Sequence, residues 1–151
     1  RKLLFDSGNN RNAFFSNLER MGIDFQEITD VVFSHKHPDH IAGSKEILGK
    51  LQKNSRIYLP KGFPSKLLPS HIPTQIVSDF IEIEKNMFSI VLKGGIFLYE
   101  QSLILQLEKG LVIVTGCAHP GIIKILKCAQ EKLNKPIYLV LGGFHLFRKK
   151  I

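Results

Sequence analysis

The sequence predicts an α/β fold in a single domain over residues 1–151, and three observations carry that expectation. Short apolar runs of strand length alternate with segments whose apolar residues recur at helical spacing. A chain of 151 residues, 44% of them hydrophobic, can bury one sizeable core without being long enough to need a second domain. No internal repeat or low-complexity stretch interrupts the pattern.

The elements follow in order. "KLLFD" reads as a short buried strand ending at Asp6, with "SGNN" as the loop after it. In "RNAFFSNLERMG", Phe14, Leu18 and Met21 fall at helical spacing, and Gly22 stands where a left-handed residue closes a helix. "TDVVFSH" is a second buried strand, "SKEILGKLQK" a helix and "SRIYLP" a third strand. Pro60, Pro64, Pro69 and Pro73 make the stretch from Lys61 to Pro73 a surface loop. From Gln75 to Glu108 the chain reads as short hairpin strands, among them "TQIVSDFIEIE", "FSIVLK", "IFLYE" and "SLILQLE". "KGLVIVTG" is a turn and an apolar strand. Residues 121–134 form a helix with Ile122, Ile125, Leu126, Ala129 and Leu133 on one face, and "IYLVLGG" is a last buried strand.

Composition narrows the function classes. Twenty-one Lys and Arg against thirteen Asp and Glu leave a formal charge of +8, which favours anionic partners such as phosphorylated metabolites, nucleic acid or acidic membrane surfaces without choosing among them. The positive residues are scattered and the chain has no Trp, so a continuous basic track with aromatic platforms is missing and nucleic acid is disfavoured. No apolar run is long enough to span a bilayer and no signal-peptide pattern is visible, so the expectation is a cytoplasmic protein with no membrane partner. Cys117 and Cys128 form no Cys-x-x-Cys pattern and no disulfide is expected; Cys128 reads as a small core residue on a helix.

Chemistry concentrates in "FSHKHPDHIAG", which holds three of the six histidines and one aspartate within six positions. "TGCAHPG" and "LGGFHLF" each carry one more, and all three stretches directly follow a predicted strand, where a rigid sheet presents side chains on reachable loops. His35 and His37, two apart in an extended segment, point to one side and can grip one cation. Pro38 then turns the chain, so Asp39 and His40 project differently and suit a second cation, although Asp39 also suits the cap of the following helix. Imidazoles and carboxylates are ligands for zinc or another divalent transition metal, one or two ions, and such centres leave room for a water that deprotonates near neutral pH.

"SHKHPDHIAG" resembles the His-x-His-x-Asp-His signature of the metallo-β-lactamase superfamily, and "LLFDSG" resembles the strand and turn that precede it there. "NLERMGID", "KGLVIVTGCAHPGI" and "IYLVLGGFHL" extend the resemblance, in order and spacing, to a branch of dihydropterin-ribofuranosylaminobenzene phosphate synthase-like proteins. The resemblance implies an αββα sandwich with metals at one edge of two sheets. It also implies an enzyme joining a dihydropterin pyrophosphate to an aminobenzene ribofuranoside phosphate. Residue by residue, it makes His35, His37 and His119 ligands of the first metal. Asp39 and His40 become ligands of the second, with Asp39 also catalytic. His145 is a further histidine facing the metals, and Asp6 holds a ligating imidazole from behind. Lys36 and the amides after "HPGI" are the candidates for holding a phosphate. His71 matches nothing and reads as a surface residue.

The chain also departs from that pattern. Where many members carry a bridging aspartate after "TG", this chain has Cys117, which reads as a small packed residue, and Glu100 is the one other carboxylate near a strand junction in that region. Both ends fall short of the pattern, so the fold is expected to be either incomplete at both ends or trimmed. Two alternatives to the phosphorylated-metabolite enzyme remain: a nucleic-acid-processing metallohydrolase, and a degenerate, non-catalytic metal-binding domain.

Overall fold

The computed structural model describes residues 2–64 and 71–146. The chain divides into two compact units, one running to Ile76 and the other starting at Val77.

The first unit contains β1 (Lys2–Phe5), α1 (Arg11–Arg20), a 3-10 turn at Phe25–Glu27, β2 (Ile28–Val32), α2 (Pro38–Ile41), α3 (Ser44–Lys50), β3 (Arg56–Pro60) and β4 (Thr74–Val77). The sheet order is β1-β2-β3-β4, with β1, β2 and β3 parallel neighbours. Parallel neighbours need crossover connections, and helical segments supply them on both sides of β2. α1 starts where the Asn10 side chain accepts from the Ala13 N–H, which satisfies one of the open donors of the first turn. It ends as the glycine suggests, because Gly22 has a φ of +63°. Met21, read from sequence as part of the apolar face, is instead the C-cap residue and 70% exposed. The core gathers Val31, Phe33, Ile47, Ile57 and Leu59, with Phe14, Phe15 and Phe25 packed against it. β2, buried along most of its length, is therefore a rigid base for whatever follows its last residue.

The second unit contains β5 (Phe80–Glu84), β6 (Met87–Lys93), β7 (Tyr99–Leu107), β8 (Gly110–Thr115), α4 (Ile122–Leu133) and β9 (Ile137–Gly142), in one sheet of order β5-β6-β7-β8-β9. Pairing is antiparallel as far as β8, whereas β8 and β9 are parallel because α4 carries the chain back between them. Ile125 and Ala129 of α4 are buried, and Ile122, Leu126, Cys128 and Leu133 pack on the same cluster, so the expected apolar face holds, with Cys128 partly buried at the core's margin.

Other expectations change as well. β1, read as a buried strand, is only partly buried, with Lys2 exposed. "TQIVSDFIEIE" is split at Ser78 and Asp79: its first half is β4 of one sheet and its second half β5 of the other. "IFLYE" and "SLILQLE" are one strand that begins at Tyr99, while Ile96 and Phe97 are exposed in the turn before it. β9 is not buried, since Tyr138, Leu139 and Leu141 are 51%, 42% and 47% exposed. It lies at the edge of its sheet, and an apolar run says nothing about how many neighbours a strand will have. Residues 65–70, within the expected Lys61–Pro73 loop, lie outside the described residues.

Candidate metal centre

In the first unit the site is assembled where β1 and β2 end side by side. The Asp6 N–H donates to the Val32 carbonyl at 2.9 Å, and Asp6 then turns off the strand with a φ of +59°, a region aspartate tolerates better than most residues. That turn brings its carboxylate to the chain leaving β2. Oδ1 accepts from the Ser34 N–H at 2.6 Å, and Oδ2 accepts from the Ser34 hydroxyl at 2.6 Å and from His40 Nδ1 at 2.7 Å.

Proton positions follow from these acceptors. An ionised carboxylate only accepts, so His40 carries its hydrogen on Nδ1 and Ser34 spends its single hydroxyl hydrogen on Asp6. The Ser34 Oγ lies 2.9 Å from His35 Nδ1 and must accept from it. Both imidazoles thus keep a lone pair on Nε2. One carboxylate orders two histidines, reaching the second through Ser34, which no motif singles out.

The remaining contacts test the donor set against a divalent metal. His35 Nε2 and His37 Nδ1 lie 3.0 Å apart. Two nitrogens bound tetrahedrally to one zinc at ordinary bond lengths lie about 3.3 Å apart, so a small opening of this pair, with loss of the hydrogen it shares, would make it a chelating pair. His40 Nε2 and an Asp39 carboxylate oxygen lie 3.6 Å apart, long for a hydrogen bond and close to the spacing of two ligands of one cation. Nitrogen and oxygen donors of this kind fit zinc, iron or manganese. Asp39 does not cap a helix: the N-cap position of α2 is His37, and Asp39 lies in the first turn with its side chain 56% exposed. α2 is tied down by the Ser7 N–H and hydroxyl, both donating to the His40 carbonyl, and by the Gly43 N–H donating to Ser7 Oγ. Lys36 is half-buried at a bend between the two imidazoles, where the sequence suggested an extended link.

In the second unit β8 ends at Thr115 and the chain turns through Gly116, Cys117, Ala118 and His119 before α4. Glu100 on β7, 1% exposed, accepts three successive N–H groups from this turn: Oε1 from Cys117 and Ala118, both at 2.8 Å, and Oε2 from His119 at 2.7 Å. The Thr115 hydroxyl adds a longer bond to Oε1 at 3.3 Å. A left-handed residue within a run of amides makes a concave cradle for an anion, and Ala118 has a φ of +56°. Both Glu100 oxygens thus accept from this turn, which ties the carboxylate to the backbone that carries His119. The His119 and His145 rings lie 4.5 Å apart between centroids, with His145 exposed and its φ at +48°. Cys117 is half-buried, and Gly121, at the N-cap of α4, leaves the first turn without a side-chain cap. His71 is exposed, as expected of a surface histidine.

Each unit thus brings together its own share of the expected residues: Asp6, His35, His37, Asp39 and His40 in one, His119 and His145 in the other. Sequence reasoning missed Ser34, whose role needs Asp6 beside it, and saw in Glu100 only a carboxylate near a strand junction, because its partners are backbone amides and leave no side-chain pattern.

The family model of the metallo-β-lactamase superfamily matches residues 1–132. The chain belongs to that superfamily. A relative of this metallo-β-lactamase superfamily member, 26% identical over 194 residues covering 97% of the chain, is the 7,8-dihydropterin-6-methyl-4-(β-D-ribofuranosyl)-aminobenzene-5'-phosphate synthase of Methanocaldococcus jannaschii. The chain spans 66% of that relative's own length, a little less than two thirds. A crystal structure described as a metal-dependent hydrolase of the β-lactamase superfamily matches with a TM-score of 0.82 and 28% identity, over 98% of this chain and 68% of that one. A quorum-quenching N-acyl homoserine lactone lactonase matches with a TM-score of 0.64 at 16% identity, over 99% of this chain and 78% of that one, a likeness of fold. The two sheets and their helices are accordingly those of the metallo-β-lactamase fold, whose members are largely enzymes and typically bind divalent metals. Among the described residues, no helix is long and apolar enough to cross a membrane.

Proposed function

We propose that this chain is a metal-dependent enzyme acting on a phosphorylated or pyrophosphorylated small molecule. The substrate we propose is a dihydropterin pyrophosphate, joined to an aminobenzene ribofuranoside phosphate in the making of a methanopterin-type coenzyme. The observation that carries the metal half of this reading is the ordering of His35 and His40 by one carboxylate, with His35 Nε2 3.0 Å from His37 Nδ1. Such a carboxylate behind a ligating imidazole sets its tautomer and raises its basicity. The substrate half rests on likeness to the 26% identical synthase, which is named for a phosphorylated dihydropterin compound.

In this reading His35, His37 and His119 hold one divalent ion, Asp39 and His40 serve a second when two are bound, and His145 stands by. A zinc or similar ion supplies Lewis-acid polarisation of a phosphoryl or water oxygen. The chain's residues do the rest. Asp39, exposed and 3.6 Å from His40 Nε2, can take a proton from an attacking group. The open first turn of α4, behind Gly121, offers amides to a phosphate, and Lys36 is a separate candidate for a cationic contact. The +8 charge raises the local concentration of an anionic substrate.

The test measures metal per chain by plasma mass spectrometry for the wild type and His37→Ala, then product formation from the two phosphorylated substrates. Loss of metal in the variant and a condensation product with released pyrophosphate support the reading. Unchanged metal content overturns the ligand assignment, and release of phosphate without condensation makes the protein a hydrolase rather than a transferase.

A further inference from the structure

Glu100 is a buried carboxylate placed among backbone donors, and the fold must have a reason to keep it. A carboxylate has about four lone-pair positions. Three main-chain N–H groups and one hydroxyl donate to it, from residues 15 to 19 positions further along the chain. The division between the two oxygens is uneven: Oε1 takes Thr115, Cys117 and Ala118, while Oε2 takes the His119 N–H alone. The turn is held from other sides too. A Cβ on Gly94 would come within 2.7 Å of the His119 Cβ, and the Gly143 N–H donates to the Gly116 carbonyl at 2.9 Å.

We propose that Glu100 is a positioning residue for His119: by accepting three successive amides it presets the backbone that aims this imidazole before any metal arrives. The inference rests on the reading above that His119 is a ligand. Its logic is one of cost. A loop that must be ordered on metal binding takes that entropy out of the affinity, whereas a loop already closed around a buried anion does not. Charge-assisted hydrogen bonds are the strong kind, and a buried carboxylate with all its partners is stable where one with some partners missing is not.

Glu100→Gln separates the two oxygens. The Gln carbonyl can replace Oε1, but its NH2 then faces the His119 N–H, donor against donor, so the substitution strikes at His119 while sparing the rest of the turn. Cobalt(II) binding, followed by its visible absorption, is measured in the wild type, Glu100→Gln, His119→Ala and the double variant. Glu100→Gln should weaken cobalt about 10- to 100-fold. In the His119→Ala background it should change the affinity further by less than about twofold, because a residue that acts through another has nothing left to act on. Full additivity of the two losses, or unchanged affinity in Glu100→Gln when His119→Ala does weaken binding, overturns the inference. Unchanged affinity in His119→Ala overturns the ligand reading instead.

Amide hydrogen exchange on the metal-stripped wild type gives a test that needs no variant. The Cys117, Ala118 and His119 amides should be protected, and exchange at the rate of an open loop would show that the turn is not preset.

Discussion

Asp6 Oδ2 and His40 Nδ1 meet at 2.7 Å across 34 residues of sequence, and the same oxygen accepts the Ser34 hydroxyl at 2.6 Å. A single acceptor thereby sets which nitrogen of His40 is protonated and, through Ser34, which nitrogen of His35. Removing its charge should disturb both imidazoles together. Asp6→Asn is the informative change because asparagine tolerates the left-handed backbone at this position and so removes charge without adding strain. Metal affinity should fall about 10- to 100-fold, read by competition with a chelator. Ser34→Ala should weaken it too, by less, since the direct contact of Asp6 with His40 survives.

Asp39→Asn is expected to separate chemistry from stability. The side chain is 56% exposed and caps neither α2 nor α3, whose N-cap positions are His37 and Gly43. The change in unfolding free energy should stay within about 0.5 kcal/mol, measured by urea titration. Turnover, or the occupancy of a second metal, should drop. An unfolding midpoint that moved with activity unchanged would assign Asp39 a structural role.

Two glycines should respond in opposite directions. A Cβ on Gly142 would lie 1.9 Å from the Thr115 carbonyl oxygen, and its φ is +122°, so Gly142→Ala should cost at least about 3 kcal/mol. Gly49 lies inside α3 with nothing within 4 Å of its Cβ position. Gly49→Ala should therefore stabilise by about 0.5–1 kcal/mol, through the lower helix propensity and greater unfolded-state freedom of glycine. Urea midpoints of the two variants against the wild type check both signs.

Burial pushes the Cys128 thiol up from its ordinary range. The thiolate is the reactive form, and a raised pKa keeps the group protonated at neutral pH. Cys128 should alkylate more slowly with iodoacetamide than a free thiol at pH 7, with the rate still climbing above pH 9. Peptide mapping of the labelled chain reads this residue separately from Cys117.

What the sequence by itself determined were the features that a short window of chain decides. The strand before each histidine cluster, the two-residue spacing of His35 and His37, the left-handed Gly22 that ends α1 and the apolar face of α4 all follow from local sterics and periodicity. Only the tertiary structure decided which groups answer one another across long separations. Glu100 was legible as a carboxylate near a strand junction, but its acceptors face main-chain amides, and every non-proline residue has one, so no residue pattern marks the pairing. "IYLVLGG" was legible as a strand, but whether a strand is central or at an edge depends on which neighbours pair with it. "TQIVSDFIEIE" was legible as strand-forming, yet the break at Ser78 and Asp79 sends its halves to different sheets, because register and partner are set by non-local hydrogen bonds. Local propensity chooses an element's type, and the buried acceptors and partners that give it a role come from parts of the chain that meet only on folding.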